Sequence, residues 1–294
     1  MIDYDPHDWR SHLCDIRGSM LREITSRILA CVLWATGITW FHCTVHECAI
    51  PSAAHMLVGP ALALLLVFRT NASYDRFWEG RKMWGNIINE SRNLARLTSA
   101  VFAQNDDFRR RLLCWIQCFP DAMRYHLRGQ KNLGKFAHTL PPESGSRIQA
   151  SDHPPLAVAL EISRHWIEAR NAGIISDYLV VALDQNVQLL IDYIGSCERI
   201  RNTPLPFAYV VHLRRAILIY CFTVPFSLLK DFVWWTPICT MLIAYLLVGI
   251  EEIGVEIEDP FGQDDNDLPL DVFCETIQRN VGLLGANADT AGSA

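Results

Sequence analysis

The stretch that most constrains this chain is Pro60 to Gly85, PALALLLVFRTNASYDRFWEGRKMWG. It opens with nine apolar residues, Pro60 to Phe68, and then turns polar through Arg69, Asn71, Asp75, Arg76, Glu79, Arg81 and Lys82, with no strong helix breaker before Gly80. One helix can carry both halves, and such a helix begins in an apolar medium and ends in water. It reads as the end of a membrane span that continues into a cytoplasmic body. Within it Pro60, Leu64 and Phe68 fall at i, i+4 and i+8, on one stripe with steps of roughly 6 Å. On an arbitrary helix such a stripe is core packing; copies of it facing a symmetry axis would make stacked apolar rings.

Composition agrees with a membrane. Half of the 294 residues are hydrophobic, high for a soluble domain of this length. The 26 Lys and Arg are outnumbered by 32 Asp and Glu. No basic stripe with interleaved aromatics appears, which excludes nucleic acid as a partner. Ten cysteines without a CxxC pair are expected to be reduced, as buried small hydrophobes or in a reducing cytoplasm. The first residues lack a basic region followed by a cleavage site, so no removable signal peptide is expected. No Walker loop, GxSxG elbow, HExxH or zinc framework occurs, which argues against an enzyme.

Hydropathy gives an all-α membrane protein with four spans, at about 28–45, 56–72, 213–230 and 232–250. The loop from His42 to Gly59 has no Lys or Arg, whereas Arg10, Arg17, Arg22 and Arg27 precede the first span and basic residues follow Phe68. By the positive-inside rule the loop is external and both termini are cytoplasmic. Residues 73–212 form a cytoplasmic helical region, with a loop over Gly129 to Pro155, helices near Leu156–Arg170 and Ser176–Arg199, and a rigid turn at Asn202–Pro206. An acidic segment follows at 251–271, and 282–294 is expected to be a disordered tail.

Three blocks carry a family resemblance: FRTNASYDRFWEGRKMWG at Phe68–Gly85, SCERIRNTPLPFAY at Ser196–Tyr209 and EDPFGQDDNDLPLD at Glu258–Asp271. In this order and spacing the chain resembles the bestrophins, in particular the bacterial ones, as a single domain over 1–281. The resemblance implies a homopentameric ion channel of the bacterial inner membrane, with membrane lipid and monovalent ions as its other partners and no required cofactor. It turns the stripe into a pore neck at Pro60, Leu64 and Phe68, with Pro60 standing where bacterial relatives usually carry Ile. It also implies a cytoplasmic aperture just after Ser176 and Asp177, hence at Tyr178; the bland alternative is a Tyr that packs at a helix start.

Nine carboxylates lie between Glu251 and Asp271 with no Lys or Arg among them, and carboxylates are ligands that calcium prefers. The spacing is not that of an EF-hand. DPFGQDDND resembles the calcium clasp of animal bestrophins, which implies side-chain ligands at Asp264 and Asp267 and carbonyls at Glu256 and Asp259; a solvated turn without metal is the alternative. The external loop offers His42, Cys43, His46, Glu47, Cys48 and His55, with a Cys43–Cys48 disulfide or a metal as options. Charge selectivity is open: animal relatives pass chloride, a bacterial relative sodium, and acid excess near the cytoplasmic exit favours cations. The rival classes are a secondary transporter, which calls for broken helices in related halves and an intramembrane charge, and a non-conducting membrane scaffold.

Overall fold

A computed structural model describes His7 and residues 19–291, with side chains to Gly285. Arg10 and Arg17, which bear on orientation, lie outside the described residues. Those residues are helical, with no strand. In order they form α1 (Leu21–Thr44), α2 (Ala53–Val101), α3 (Asp106–Leu127), α4 (Pro142–Ala150), α5 (Pro154–Asn171), α6 (Asp177–Asn202), α7 (Phe207–Phe232), α8 (Thr236–Glu256) and α9 (Leu270–Ala291). The chain divides into two compact units, one of residues 1–77 with 204–267 and the other of 78–203 with 268–294.

The first unit holds the apolar helices. Among the described residues, three stretches are long and apolar enough to cross a membrane: Leu21–Thr44, Ala53–Val101 and Phe207–Glu256. The third contains α7 and α8, separated by a 3-10 turn at Val233–Trp235. There Val233 takes φ +42°, a left-handed conformation that a β-branched residue rarely adopts, and Pro237 sits in the first turn of α8, where its missing N–H costs nothing. The sequence suggested a break at Lys230 and Asp231; both instead remain on α7, and the backbone breaks at Val233. At 26 and 21 residues, α7 and α8 each exceed the roughly 20 residues a crossing needs.

These helices share a core of Ile24 from α1, Leu62 and Leu66 from α2, Leu213, Ile217 and Cys221 from α7, and Ala244 and Val248 from α8. Their other faces expose Leu29 and Leu33, Leu218 and Ile219, and Leu242 and Leu246. Apolar surface of that extent belongs against lipid or a partner chain.

The second unit is a water-type helical core. Its helices bury Trp84, Leu94, Phe102, Trp115, Phe119 and Trp166, with Phe102 stacked on Trp166 at 5.9 Å. Each such side chain contributes about 1.5–3 kcal/mol relative to exposure. The stretch 129–155, expected to be a loop, contains a 3-10 turn at Gly134–Thr139 and α4. Pro141 and Pro142 pre-set the first turn of α4, Glu143 follows in that turn, and Ile148 is its one buried residue. α9 covers most of the segment that the sequence set apart as a tail.

Candidate functional site

α2 carries two stripes on its apolar half. Leu62, Leu66, Arg69 and Ser73 are buried, at i, i+4, i+7 and i+11. Pro60, Leu64 and Phe68 are exposed, Leu64 at 55% and Phe68 at 57%. At about 100° per residue, Leu64 stands about 180° from the mean direction of Leu62 and Leu66. One face is therefore held by the unit's own core while the opposite face presents a row of apolar side chains. Pro60 lies within the helix, where it removes one backbone donor and leaves the preceding turn's carbonyl free.

Immediately below Phe68 the helix is pinned. Arg69 is fully buried; its guanidinium bonds Ser73 and pairs with Glu258 at 2.6 Å through Nη2, while its Nε has no acceptor among the described residues. Glu258 is a hub. Its Oε1 accepts the Leu205 N–H at 3.0 Å, and its carbonyl accepts from Arg76 Nε at 3.1 Å. It thus ties α2, the turn before α7 and the segment after α8 at one point. Gly254 packs on Arg69, where an added Cβ would stand 3.4 Å from Arg69 Cγ.

Two more pairs lie at corresponding helix ends. Arg27, near the start of α1, bonds Glu252 near the end of α8 at 2.5 Å, and Arg214, near the start of α7, bonds Glu251 at 2.7 Å. With Arg69 and Glu258, these pairs bring together the start of α1, the end of the apolar half of α2, the start of α7 and the end of α8. At the opposite ends, the Ile50 N–H bonds the Phe226 carbonyl at 3.0 Å and His55 Nε2 meets Thr223 Oγ1 at 3.0 Å. The four apolar segments alternate in direction. The sequence offered Arg27, Arg214, Glu251 and Glu252 as flanking charges but not their pairing, which spans up to 225 positions.

Tyr178 is the second residue of α6 and is 89% exposed. Ser176 caps that helix by accepting the Leu179 N–H, and Asp177 bonds Arg170 at 2.7 Å. The cap fixes the backbone at Tyr178, and within this single chain its ring is exposed.

The acidic segment does not act as one cluster. Glu251 and Glu252 are buried and paired, and Glu258 is committed to Arg69. In the turn itself Asp267 is buried and its Oδ2 accepts the Asp264 N–H at 2.7 Å. Asp259 Oδ1 accepts the Phe261 N–H at 3.3 Å, and Glu256 accepts from Asn266 Nδ2 at 3.0 Å. Burial pushes the Asp267 carboxyl up to about 6, with the Asp264 and Asp259 charges adding to the shift and the Asp264 N–H opposing it. Burial also raises Glu256. Asp264 is exposed. Of the two side-chain calcium ligands that the resemblance implies, Asp264 is exposed and Asp267 is engaged through Oδ2 with the Asp264 N–H. Among the described residues, three-ligand convergence occurs at His126, His153 and Glu198 in the second unit, not in this turn.

At the end of α1 and in the connection to α2, Cys43 and Cys48 are both free, and His42 Nδ1 accepts the Cys48 N–H at 3.0 Å. Of the charges that follow Phe68, Glu79 bonds Arg199 at 2.6 Å and Arg81 lies over the Phe273 ring at 4.9 Å.

Comparison with known proteins adds the family. A model described as bacterial and fungal bestrophin protein matches residues 1–282. A voltage-dependent anion channel-forming protein of Synechocystis sp. is 40% identical over 281 residues, covering 94% of this chain and 91% of that one. One of Escherichia coli, also described as a voltage-dependent anion channel-forming protein, is 32% identical over 292 residues, covering 98% and 94%. A crystal structure of a bacterial bestrophin homologue from Klebsiella pneumoniae, bearing a mutation, superposes with a TM-score of 0.85 at 32% identity, covering 92% of this chain and 99% of that one.

Proposed function

The chain belongs to the bacterial and fungal bestrophin family, and from that membership we propose that it conducts small monovalent ions across a membrane as a homopentamer. Pro60, Leu64 and Phe68 form the neck of an axial pore, and Tyr178 forms a second constriction in the cytoplasmic part. The observation that carries this reading is the pair of opposed stripes on α2. A row of apolar side chains left outside the chain's own core, and backed by a buried and pinned face, is what five copies need in order to line one narrow path. Apolar rings gate such a path by dewetting.

We read the alternating segments as four crossings with both termini cytoplasmic. The charged ends of all four meet through Arg27, Arg69 and Arg214 and their carboxylates, and the positive-inside rule assigns that end to the cytoplasm. In a bacterium the membrane is the inner one.

Pairing also weakens the argument for cations. Four of the nine carboxylates between Glu251 and Asp271 are paired with arginines, Glu251, Glu252, Glu258 and Asp271, so the local excess is smaller than the sequence suggests. The names of the curated relatives favour anions. Reversal potentials of the purified protein in planar bilayers under a NaCl gradient decide the sign, with Leu64→Ala and Phe68→Ala as companions. Both residues are exposed in the chain, so each substitution should leave folding intact and enlarge the current. Unchanged current in both variants removes the neck, and flux indifferent even to Leu64→Glu favours a non-conducting scaffold.

Calcium at Glu256, Asp259, Asp264 and Asp267 remains a separate proposal and supplies no step in conduction. Asp267 can offer its Oδ1 while Oδ2 keeps the Asp264 N–H, and a rise in melting temperature with added calcium that Asp264→Ala abolishes supports it.

A further inference from the structure

In the second unit, three helices bring two imidazoles and a carboxylate together at a place that the sequence does not mark. His126 lies in the last turn of α3, His153 is the N-cap of α5, and Glu198 lies in the last turns of α6. His126 Nε2 is 2.6 Å and His153 Nε2 is 2.9 Å from the same oxygen, Glu198 Oε1. The two rings stack with centroids 4.5 Å apart and planes 26° from parallel. All three ligand atoms lie within 4.8 Å of one another, and all three residues are partly buried. The carboxylate is thus fixed between two rings while a side remains open to solvent.

We propose that His126, His153 and Glu198 form a binding site for a zinc-class divalent metal ion that clips α3, α5 and α6 together. Two imidazoles and one carboxylate are a ligand set that zinc accepts, at about 2.0–2.2 Å from each, with water completing a tetrahedron. An ion bonded to these atoms as they stand would subtend angles of about 70–90° at the two short edges, for bonds of that length. Opening these toward the tetrahedral value takes the two oxygen–nitrogen separations to about 3.4 Å, increases of roughly 0.5–0.8 Å that rotation of the three side chains supplies. The set carries one negative charge. The nearest cation bonded to these residues, Arg201, bonds through Nη1 to the His126 carbonyl at 2.7 Å and not to its ring.

Metal binding changes one existing bond. His153 Nδ1 accepts the Leu156 N–H at 3.3 Å, so in the metal-free protein its Nε2 carries the proton and donates to Glu198. Coordination through Nε2 moves that proton to Nδ1 through solvent, and the Leu156 N–H turns to water. The bond given up is long and lies at an exposed helix start, where water replaces it readily. The segment between His126 and His153, which contains α4, is closed at its base when the ion is bound.

The test uses the full chain in detergent, stripped with chelator, on a Cys43→Ser/Cys48→Ser background that removes the external thiols. Zinc titration should give one tight equivalent per protomer and a rise in melting temperature. Cobalt(II) in its place should show a tetrahedral visible spectrum without a thiolate charge-transfer band. Glu198→Gln keeps an acceptor for both rings and should lower zinc affinity about tenfold or more, scaled to what loss of even an outer-shell partner costs, with the metal-free melting temperature unchanged. His126→Gln should do the same; if it fails to fold, Glu198→Gln alone decides. Absence of a tight zinc equivalent in the parent, or one that survives both substitutions at unchanged affinity, overturns the site.

Discussion

Removing Glu258 should be among the most damaging single changes that this chain can suffer. Glu258→Ala leaves the Arg69 guanidinium fully buried with Ser73 as its remaining side-chain partner, and it also strips the Leu205 N–H of its acceptor. Breaking a buried pair by deleting one partner costs about 3–5 kcal/mol, because the other charge is left without compensation. For a domain of this size, 1 kcal/mol moves the melting temperature by roughly 2–4 °C. The expected drop is then roughly 6–20 °C, read by thermal unfolding in detergent. Glu258→Gln retains the shape and the Leu205 contact and should lie between the two. Arg69→Met/Glu258→Leu, which removes both charges, should recover most of the loss, since an apolar replacement of a buried pair is often neutral. A consequence for conduction follows from position, because Arg69 is the residue after Phe68. Freeing Arg69 loosens the backbone next to Phe68, the last ring of the proposed neck, and single-channel openings of Glu258→Gln should become more variable in amplitude. A loss in Glu258→Ala below about 1 kcal/mol, the scale of an exposed pair, or a double variant no better than Glu258→Ala, refutes the reasoning.

Gly134 and Gly173 make a matched comparison. Both have positive φ, +70° and +73°, but a Cβ on Gly134 would stand 2.0 Å from Asp121 Oδ2, whereas at Gly173 it meets open space. Gly173→Ala should cost about 1–2 kcal/mol, the left-handed penalty. Gly134→Ala should cost about 1–3 kcal/mol more for overpacking, because Asp121 is buried and held by Gln278 at 2.7 Å and Arg124 at 3.1 Å; equal melting temperatures would contradict this. Asp267 gives a pH effect. Its folded-state value, about 6, lies above the ordinary 3.8, so the folded protein binds the proton more tightly, and that stabilisation is complete below about pH 4 and lost as pH rises through 6. Asp267→Asn, measured in chelator, should therefore gain on the parent between pH 4 and pH 8, and parallel melting profiles would count against it. Tyr178→Ala should change conductance while moving stability by no more than about 0.5 kcal/mol, as expected of an exposed side chain; an unaltered current would remove Tyr178 from the ion path.

What the sequence could express was what repeats locally. The apolar runs and the turn at Asn202–Pro206 are visible because hydropathy and proline chemistry act over a few residues. The stripe at Pro60, Leu64 and Phe68 is visible for the same reason, since helical spacing alone aligns it. Which stripe of α2 faces inward was not visible: Leu62 and Leu66 are as apolar as Leu64, and only the partners Ile24, Leu213, Ile217, Ala244 and Val248 decide between them. The acidic segment misled for a related reason. Counted along the chain it is a run of carboxylates, yet Glu251, Glu252 and Glu258 each answer an arginine that lies at least 37 positions away. His126, His153 and Glu198 are the extreme case, with 72 positions between the first and the last and no spacing to betray them. Charge that looks like an electrostatic lure in sequence is here largely the fastening of one helix end to another. If the proposed ion path draws selectivity from unpaired charge, charge-reversing substitutions at Asp264 or Asp265, which stay exposed, should shift the reversal potential more than changes at the paired glutamates.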